Sequence, residues 1–198
     1  MQAGWFGDRY DHLKWSVLLR LASKEQAILY VAMLRGTDQK QRAIRLCDPS
    51  VMAYFKSLGC PCPKPTLERI VELDARIKLF ATRLPEKGEE RRRYFREVCE
   101  LIGQVGRNSF CVFLDPDTGM APDGSGKHVS YEELRMIWDS LRTGDRLVVY
   151  QHAWRPKGGE WHSIAQANLA GALGLDPESI AQEPREKTNV AFLTTVKQ

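Results

Sequence analysis

The fold of this 198-residue chain is decided by residues 110–119, which read FCVFLDPDTG. Five consecutive apolar residues are typical of a strand that is buried on both faces, as in a parallel sheet. Asp115 follows this strand directly, and Pro116 stiffens the turn so that the carboxylate has a fixed direction. An acid in this place is poorly explained as core. The stretch therefore predicts a buried strand with a functional group at its end.

Other strands and helices alternate around this stretch. Apolar runs at residues 27–34, 146–150 and 190–196 predict three more strands, the last of them closing the sheet. Helices are predicted over Asp11 to Leu21, Ser130 to Leu141 and Trp161 to Leu173. Asp11 is available as a cap for the first helix, and Ser130 with Glu133 forms a capping box for the second. The alternation predicts an α/β fold with a mainly parallel sheet in a single domain over residues 1–198.

Residues 48–105 interrupt the alternation. They contain helical patterns and no convincing strand, so we interpret them as a helical insertion. The last helix of this insertion carries Arg91, Arg92, Arg93 and Arg96. These side chains could meet phosphates, but a solvated helix face that Glu89 and Glu90 partly neutralise is the favoured interpretation.

Composition narrows the class of protein. Apolar residues make up 43% and charged residues 27% of the chain, which predicts a globular core and argues against a disordered chain. The net charge of +4 is compatible with an anionic partner such as nucleic acid. The longest apolar run, residues 27–34, is too short to span a membrane, and the acidic N-terminal region is unlike a secretory signal. We therefore expect a cytoplasmic protein without a membrane segment.

Polar residues follow two of the predicted strands. Asp115 and Asp117 follow the strand at 110–114, and Gln151 and His152 follow the strand at 146–150. Since ligands of open α/β sheets bind outside the carboxyl ends of the strands, we expect these groups to share one solvent-reachable crevice. A neutral His152 could accept a proton, bind a metal or hydrogen-bond a base. Asp115, Asp117 and His152 are our candidate catalytic residues.

A second polar group precedes the helix that begins near Ser130. Lys127 and His128 leave a glycine-rich loop just before that helix, where free amides and the helix dipole favour anions. With Gln151, they are our candidates for substrate binding. The loop lacks the glycine spacing of a phosphate-binding P-loop. Cys60 and Cys62 have no second close pair of cysteines, so we predict no structural zinc.

Two motifs resemble known methyltransferases. The segment from Trp5 to Trp15, with Gly7-Asp8, Asp11 and Lys14, resembles the N-terminal segment of the large-subunit rRNA adenine-N6 methyltransferases. Residues 110–118 resemble the strand and Asp-Pro-Pro-aromatic motif of amino methyltransferases. The whole chain is similar to an uncharacterised bacterial family that has Gly-Asp-x-x-Asp near its start, Phe-Leu-Asp-Pro-Asp-x-Gly centrally and Tyr-Gln-His later.

The resemblance implies a methyltransferase-like Rossmann domain in which S-adenosylmethionine lies across the strand ends. Asp115 would accept a hydrogen bond from the target amine of a nucleic acid or related substrate, which helps catalysis by positioning. The residues implied for the cofactor are Asp8, Asp11, Lys14 and Gly36.

Two other classes remain open. Asp115, Asp117, His128 and His152 could instead hold a divalent metal such as Mg²⁺ in a nuclease or phosphohydrolase. A degenerate domain that binds a ligand without catalysis is the third possibility.

Overall fold

The computed structural model describes residues 9–34, 48–58, 67–105, 109–125, 127–153, 160–183 and 189–198. Its strands are β1 (Ala27–Val31), β2 (Ile77–Phe80), β3 (Phe110–Leu114), β4 (Gly119–Ala121), β5 (His128–Ser130), β6 (Arg146–His152), β7 (Ala181–Glu183) and β8 (Val190–Val196). Its α-helices are α1 (Arg9–Leu21), α2 (Pro49–Ser57), α3 (Glu89–Gln104), α4 (Tyr131–Ser140) and α5 (Trp161–Leu173). Two 3₁₀ turns cover Leu67–Glu72 and Pro177–Ser179.

The central sheet has six strands in the order β2-β1-β3-β6-β8-β7. Strands β2, β1, β3 and β6 run parallel, while β8 runs antiparallel to both of its neighbours. A separate two-stranded ribbon pairs β4 with β5. The expected α/β class, with a mainly parallel Rossmann-like sheet, is confirmed. Because the chain goes from β1 outward to β2 and then back across β1 to β3, the strand order reverses between β1 and β3.

Both faces of the sheet are covered by helices. Side chains of a strand alternate between the two faces, so Leu29, Val112 and Val149 pack in one apolar core with α3, α4 and α5. Their neighbours Tyr30 and Phe113 pack in a second core with α1 and α2. The alternation explains why the strand sequences are apolar throughout.

The region from 48 to 105 is not purely helical. It contributes β2, which pairs with β1 over four residues from Ile77 to Phe80, so our expectation of no strand there is wrong. The segment reads IKLF, with one buried and three partly or fully exposed positions. An edge strand this short gives too few alternating positions for its periodicity to be recognised.

Two helix starts test the capping predictions. The box at α4 is confirmed, since the Ser130 hydroxyl accepts from the Glu133 amide and the Glu133 carboxylate accepts from the Ser130 amide. Asp11 is not the cap of α1, which begins at Arg9. Asp11 lies in the first turn, where its carboxylate accepts from Lys14 one turn later. Asp11 and Lys14 therefore form an ion pair along one face of the helix.

The arginines of α3 do not share one solvated face. Arg92, Arg93 and Arg96 are exposed and pair with glutamates of the same helix. Arg91 is only 5% exposed and forms a bidentate pair with Glu133 of α4. The solvated-face interpretation is thus wrong for Arg91. Among the helices that the structure describes, none combines the length and the apolar character needed to cross a membrane.

Candidate ligand site at the strand ends

Because side chains alternate between the two faces of a strand, the candidate residues Asp115 and His152 lie on the same face of the sheet. Asp115 follows Phe113 by two positions and His152 follows Tyr150 by two, so all four belong to the face that α1 covers. β3 and β6 are adjacent parallel strands, and their carboxyl ends therefore meet at the same edge of the sheet. The amide of Asp115 donates to the carbonyl of Val31 at 3.1 Å, which places the acid at the crevice between β1 and β3.

A buried ion-pair cluster occupies this edge. The ammonium of Lys14 donates to Asp115 Oδ2 at 2.9 Å and to Asp11 Oδ1 at 3.2 Å. The hydroxyl of Tyr30 donates to the same Asp115 oxygen at 2.7 Å. Asp115, Asp11 and Lys14 are 0, 1 and 4% exposed. Removing charges from water is costly, so a cluster this deep requires the mutual pairing that the structure provides.

An aromatic floor supports the cluster. Lys14 Nζ lies 4.6 Å from the centre of the Tyr150 ring, within the range of a cation–π interaction. The floor continues across the sheet through stacked, edge-on or tilted ring contacts that join Trp15, Tyr30, Phe113, Phe192 and Tyr150. The rings provide a rigid apolar surface below the charged groups, where electrostatic interactions are stronger than in water.

His152 extends the cluster toward solvent. Its Nε2 lies 2.8 Å from the Tyr150 hydroxyl, and the Tyr10 ring packs edge-on at 5.4 Å. Burial, and after it the Lys14 ammonium, lowers the pKa of His152 to about 4, while the carboxylates of Asp115 and Asp117 oppose the shift. The imidazole is therefore neutral at pH 7. We call Asp11, Lys14, Tyr30, Asp115, Tyr150 and His152 the strand-end cluster.

The Gln151 side chain hydrogen-bonds the backbone of residues 118–120, beside the cluster. Its side chain has no exposed surface, accepts from the Met120 amide and donates to the carbonyls of Thr118 and His152. Gly119 has a φ of 117°, and a Cβ there would lie 2.3 Å from the Gln151 amide oxygen. Only glycine fits this position without strain. The contacts of Gln151 are thus to backbone, which differs from the exposed position we expected of a substrate-binding side chain.

The other predicted residues lie in three places. Asp117 is partly buried in the loop after β3 and is close enough to influence the pKa of His152. Lys127 is exposed, and His128 begins β5 with its Nδ1 2.8 Å from the Ser125 hydroxyl, so both belong to the β4–β5 ribbon. Asp8 and Gly36 lie outside the described residues, as do Cys60 and Cys62.

The exposure of Asp115 differs from the expectation. We predicted a solvent-reachable carboxylate, but Asp115 has no exposed surface, and Lys14 and Tyr30 both bind its Oδ2. The reason is that α1 covers this face and sends Lys14 to the strand end. Sequence reasoning also missed Tyr30 and Tyr150. A signal was available, because Tyr150 precedes His152 by two positions and so shares its face.

The described part of the chain contains no cluster of metal-binding side chains. Within it, no set of three or more histidine, cysteine, aspartate or glutamate side chains is arranged to hold a metal ion. The alternative of a divalent-metal site at Asp115, Asp117, His128 and His152 therefore has no support from the described residues.

The chain has little similarity to known proteins. No protein-family model matches the sequence, and no curated protein matches it. One solved structure, described as a "putative rRNA-methylase" from Clostridium thermocellum, superposes with a TM-score of 0.35 and 12% identity over 96% of this chain and 98% of that chain. A superposition this loose supports no inference about function.

Proposed function

We propose that this protein is a methyltransferase that uses S-adenosylmethionine and acts on an amine of a nucleic acid or a related substrate. The observation that carries the proposal is the strand-end cluster, which holds a cation between two carboxylates and an aromatic face. The cluster lies beside the reversal of strand order between β1 and β3, which is where open α/β sheets bind their ligands.

The charges of the cluster fit the proposed cofactor. Asp11 and Asp115 carry two negative charges and Lys14 one positive charge, so these three described side chains sum to −1. Carboxylates and aromatic faces both attract cations, and the sulfonium of S-adenosylmethionine is a cation. Lys14 offers a partner of opposite charge for the carboxylate of the same molecule. When bound, this cofactor supplies an electrophilic methyl group.

The residues of this chain have separate roles in the proposal. Asp11 and Lys14 bind charged groups of the cofactor, with Asp8 and Gly36 as further candidates. Asp115 orients the lone pair of the acceptor amine, which takes the place that the Lys14 ammonium holds at Oδ2, while Lys14 keeps its bond to Asp11. Asp117 and His152 border the cluster on its solvent side, and Lys127, His128 and Gln151 remain candidates for the substrate side.

Two measurements test the proposal. Isothermal titration calorimetry with S-adenosylmethionine and with its demethylated product should show binding at micromolar concentrations. Transfer of a tritiated methyl group from S-adenosylmethionine should then be measured on unmodified large-subunit rRNA transcript and on random-sequence single-stranded DNA. No binding at millimolar concentration, or no transfer to either acceptor, would contradict the proposal.

A matched pair of variants addresses Asp115. Asp115→Asn keeps the shape but loses the charge that orients the amine, so we expect the transfer rate to fall about 100-fold or more, as for a misplaced reactant. The control is Asp123→Asn, since Asp123 is an exposed acid in the loop after β4. An equal loss in both variants would remove the specific role of Asp115.

The complete burial of Asp115 favours a second candidate function, a binding module without catalysis. In that case the pairing of Asp115 with Lys14 and Tyr30 is purely structural. The two candidates differ in one outcome. A protein that binds an S-adenosyl compound but transfers no methyl group, and whose Asp115→Asn variant loses stability and keeps ligand affinity, is a binding module.

A further inference from the structure

We propose that His152 is the group that takes the proton lost by the acceptor amine, and that the Tyr150 hydroxyl positions its imidazole for this role. The inference rests on the proposed function and adds a proton acceptor to it. His152 is the member of the strand-end cluster that extends from the buried ion pair toward solvent, as its partial exposure records.

The two ring nitrogens of His152 have different surroundings: Nε2 contacts the Tyr150 hydroxyl, and we assign proton uptake to Nδ1. The Tyr150 hydroxyl lies 2.8 Å from Nε2 of His152, and the Tyr10 ring holds the imidazole from the side. Among the residues that the structure describes, Tyr150 alone forms a hydrogen bond with the His152 ring. When Nε2–H donates to the Tyr150 oxygen, Nδ1 keeps its lone pair for an incoming proton.

The surrounding charges keep that lone pair available. Among the described residues, the groups that face His152 include the ammonium of Lys14, the carboxylates of Asp115 and Asp117, and the rings of Tyr10 and Tyr150. Burial and the Lys14 ammonium outweigh the two carboxylates, and the lowered pKa of His152, about 4, leaves the ring neutral at pH 7. A neutral imidazole can accept a proton, whereas an imidazolium cannot.

The proton step balances without any further reactant. S-adenosylmethionine held by the cluster would supply the methyl group. The lone pair of the amine nitrogen would form the new bond to the methyl carbon, and the electrons of the broken carbon–sulfur bond would stay on sulfur. The amine nitrogen then carries a positive charge and releases one proton to Nδ1 of His152. The products are a methylated amine, a thioether and an imidazolium whose Nε2–H still donates to Tyr150. Solvent finally removes the proton from the exposed side of the ring.

Single-turnover kinetics test the role of His152. Transfer of the tritiated methyl group to unmodified rRNA transcript is measured with enzyme in excess, for the wild type, His152→Asn and the control His162→Asn. His162 is another half-buried histidine with a lowered pKa, at the start of α5. Removing a general base lowers rates about 10²–10⁴-fold, so we expect that loss for His152→Asn only, with unchanged affinity for the demethylated cofactor.

The role of Tyr150 has a readout that a structural effect would not move. Nitrogen NMR of histidine-labelled protein should show His152 as the Nε2–H tautomer in the wild type and as a mixture in Tyr150→Phe, which keeps the ring below Lys14. Tyr54→Phe is the control, since its hydroxyl donates to the Arg69 carbonyl. Addition of imidazole should restore the transfer rate of a His152→Gly variant.

The outcomes separate this inference from the proposed function. A wild type that transfers no methyl group overturns both. An active wild type with a His152→Asn rate within twofold of it overturns the inference alone. An unchanged His152 tautomer in Tyr150→Phe overturns the positioning role of Tyr150, even where His152→Asn fails to fold.

Discussion

Buried ion pairs of Arg91 and of Lys14 lie on opposite faces of the sheet, and they differ in the groups that surround them. On the side of α3 and α4, Arg91 binds Glu133 through two nitrogens, and its other described bonds go to backbone carbonyls that include those of Ser125 and His128. On the side of α1, Lys14 binds Asp11 and Asp115 above the Tyr150 ring. Arg91 therefore links backbone segments, whereas Lys14 links side chains at the ends of the strands.

The difference separates a structural role from a candidate functional one. Arg91 fastens the loop after β4, strand β5 and the capping box of α4 to helix α3, so its location is explained by folding alone. Lys14 joins titratable side chains from α1 and from the end of β3, where ligands of such sheets bind. Burial by itself therefore does not distinguish the two roles, while position in the topology does.

The largest effect is expected at Arg91. Arg91→Ala leaves the Glu133 carboxylate and several carbonyls without their buried partner, so the free energy of unfolding should fall by about 3–5 kcal/mol. Urea denaturation followed by circular dichroism measures this loss. Arg93→Ala is the control, because the Arg93 side chain is 77% exposed and pairs with Glu97 along the same helix. We expect less than about 0.5 kcal/mol there. Similar losses in both variants would contradict a scaffold role for Arg91.

The sequence alone predicted the helices and strands better than it predicted the burial and contacts of the charged side chains. Strands β1, β3, β6 and β8 were predicted because their apolar runs are long enough to be recognised, and the capping box of α4 has a local signature. Strand β2 has only four residues, too few to show an alternating pattern, so its pairing with β1 decides its structure. The burial of Arg91 depends on α4, which lies 42 residues away at Glu133, and no local pattern reports that contact.

The next effect concerns the pH dependence of stability through His152. Its pKa is lowered from 6.5 to about 4 in the folded protein, so the unfolded chain binds more protons between these two pH values. The free energy of unfolding should therefore fall as the pH drops from 6.5 to 4, by about 1–3 kcal/mol from this residue after allowance for its partial exposure. Above pH 6.5 the contribution is constant.

Denaturation of the wild type and of His152→Gln at several pH values isolates this contribution from that of the carboxylates, which titrate in part of the same range. The difference between the two proteins should shrink as the pH is lowered. His162→Gln serves as a comparison, since burial also lowers the pKa of His162. Parallel curves for the wild type and His152→Gln would show that the ring is not held neutral by the strand-end cluster.

The candidate site was predicted only in part, because some of its features are local in the sequence and others depend on tertiary contacts. Asp115 and His152 follow directly after apolar strands, so their shared edge could be inferred from the sequence. The burial of Asp115 could not, because it depends on α1 packing over the strand ends and placing Lys14 at 2.9 Å from the carboxylate. The role of Tyr30 required the pairing register of β1 with β3, which sets Tyr30 beside Phe113.

The smallest effect is expected at Ser130, on the scaffold side of the comparison. Ser130→Ala removes the hydroxyl that accepts from the Glu133 amide, while the Glu133 carboxylate keeps its bonds to Arg91 and to the backbone amide of residue 130. A lost N-cap costs about 1 kcal/mol, and we expect that decrease in the free energy of unfolding. Because the Arg91 pair still fixes the start of α4, ligand binding at the strand-end cluster should be unchanged in calorimetry. A loss of several kcal/mol, or weaker ligand binding, would mean that the two faces of the sheet are energetically coupled through β5 and the β4 loop.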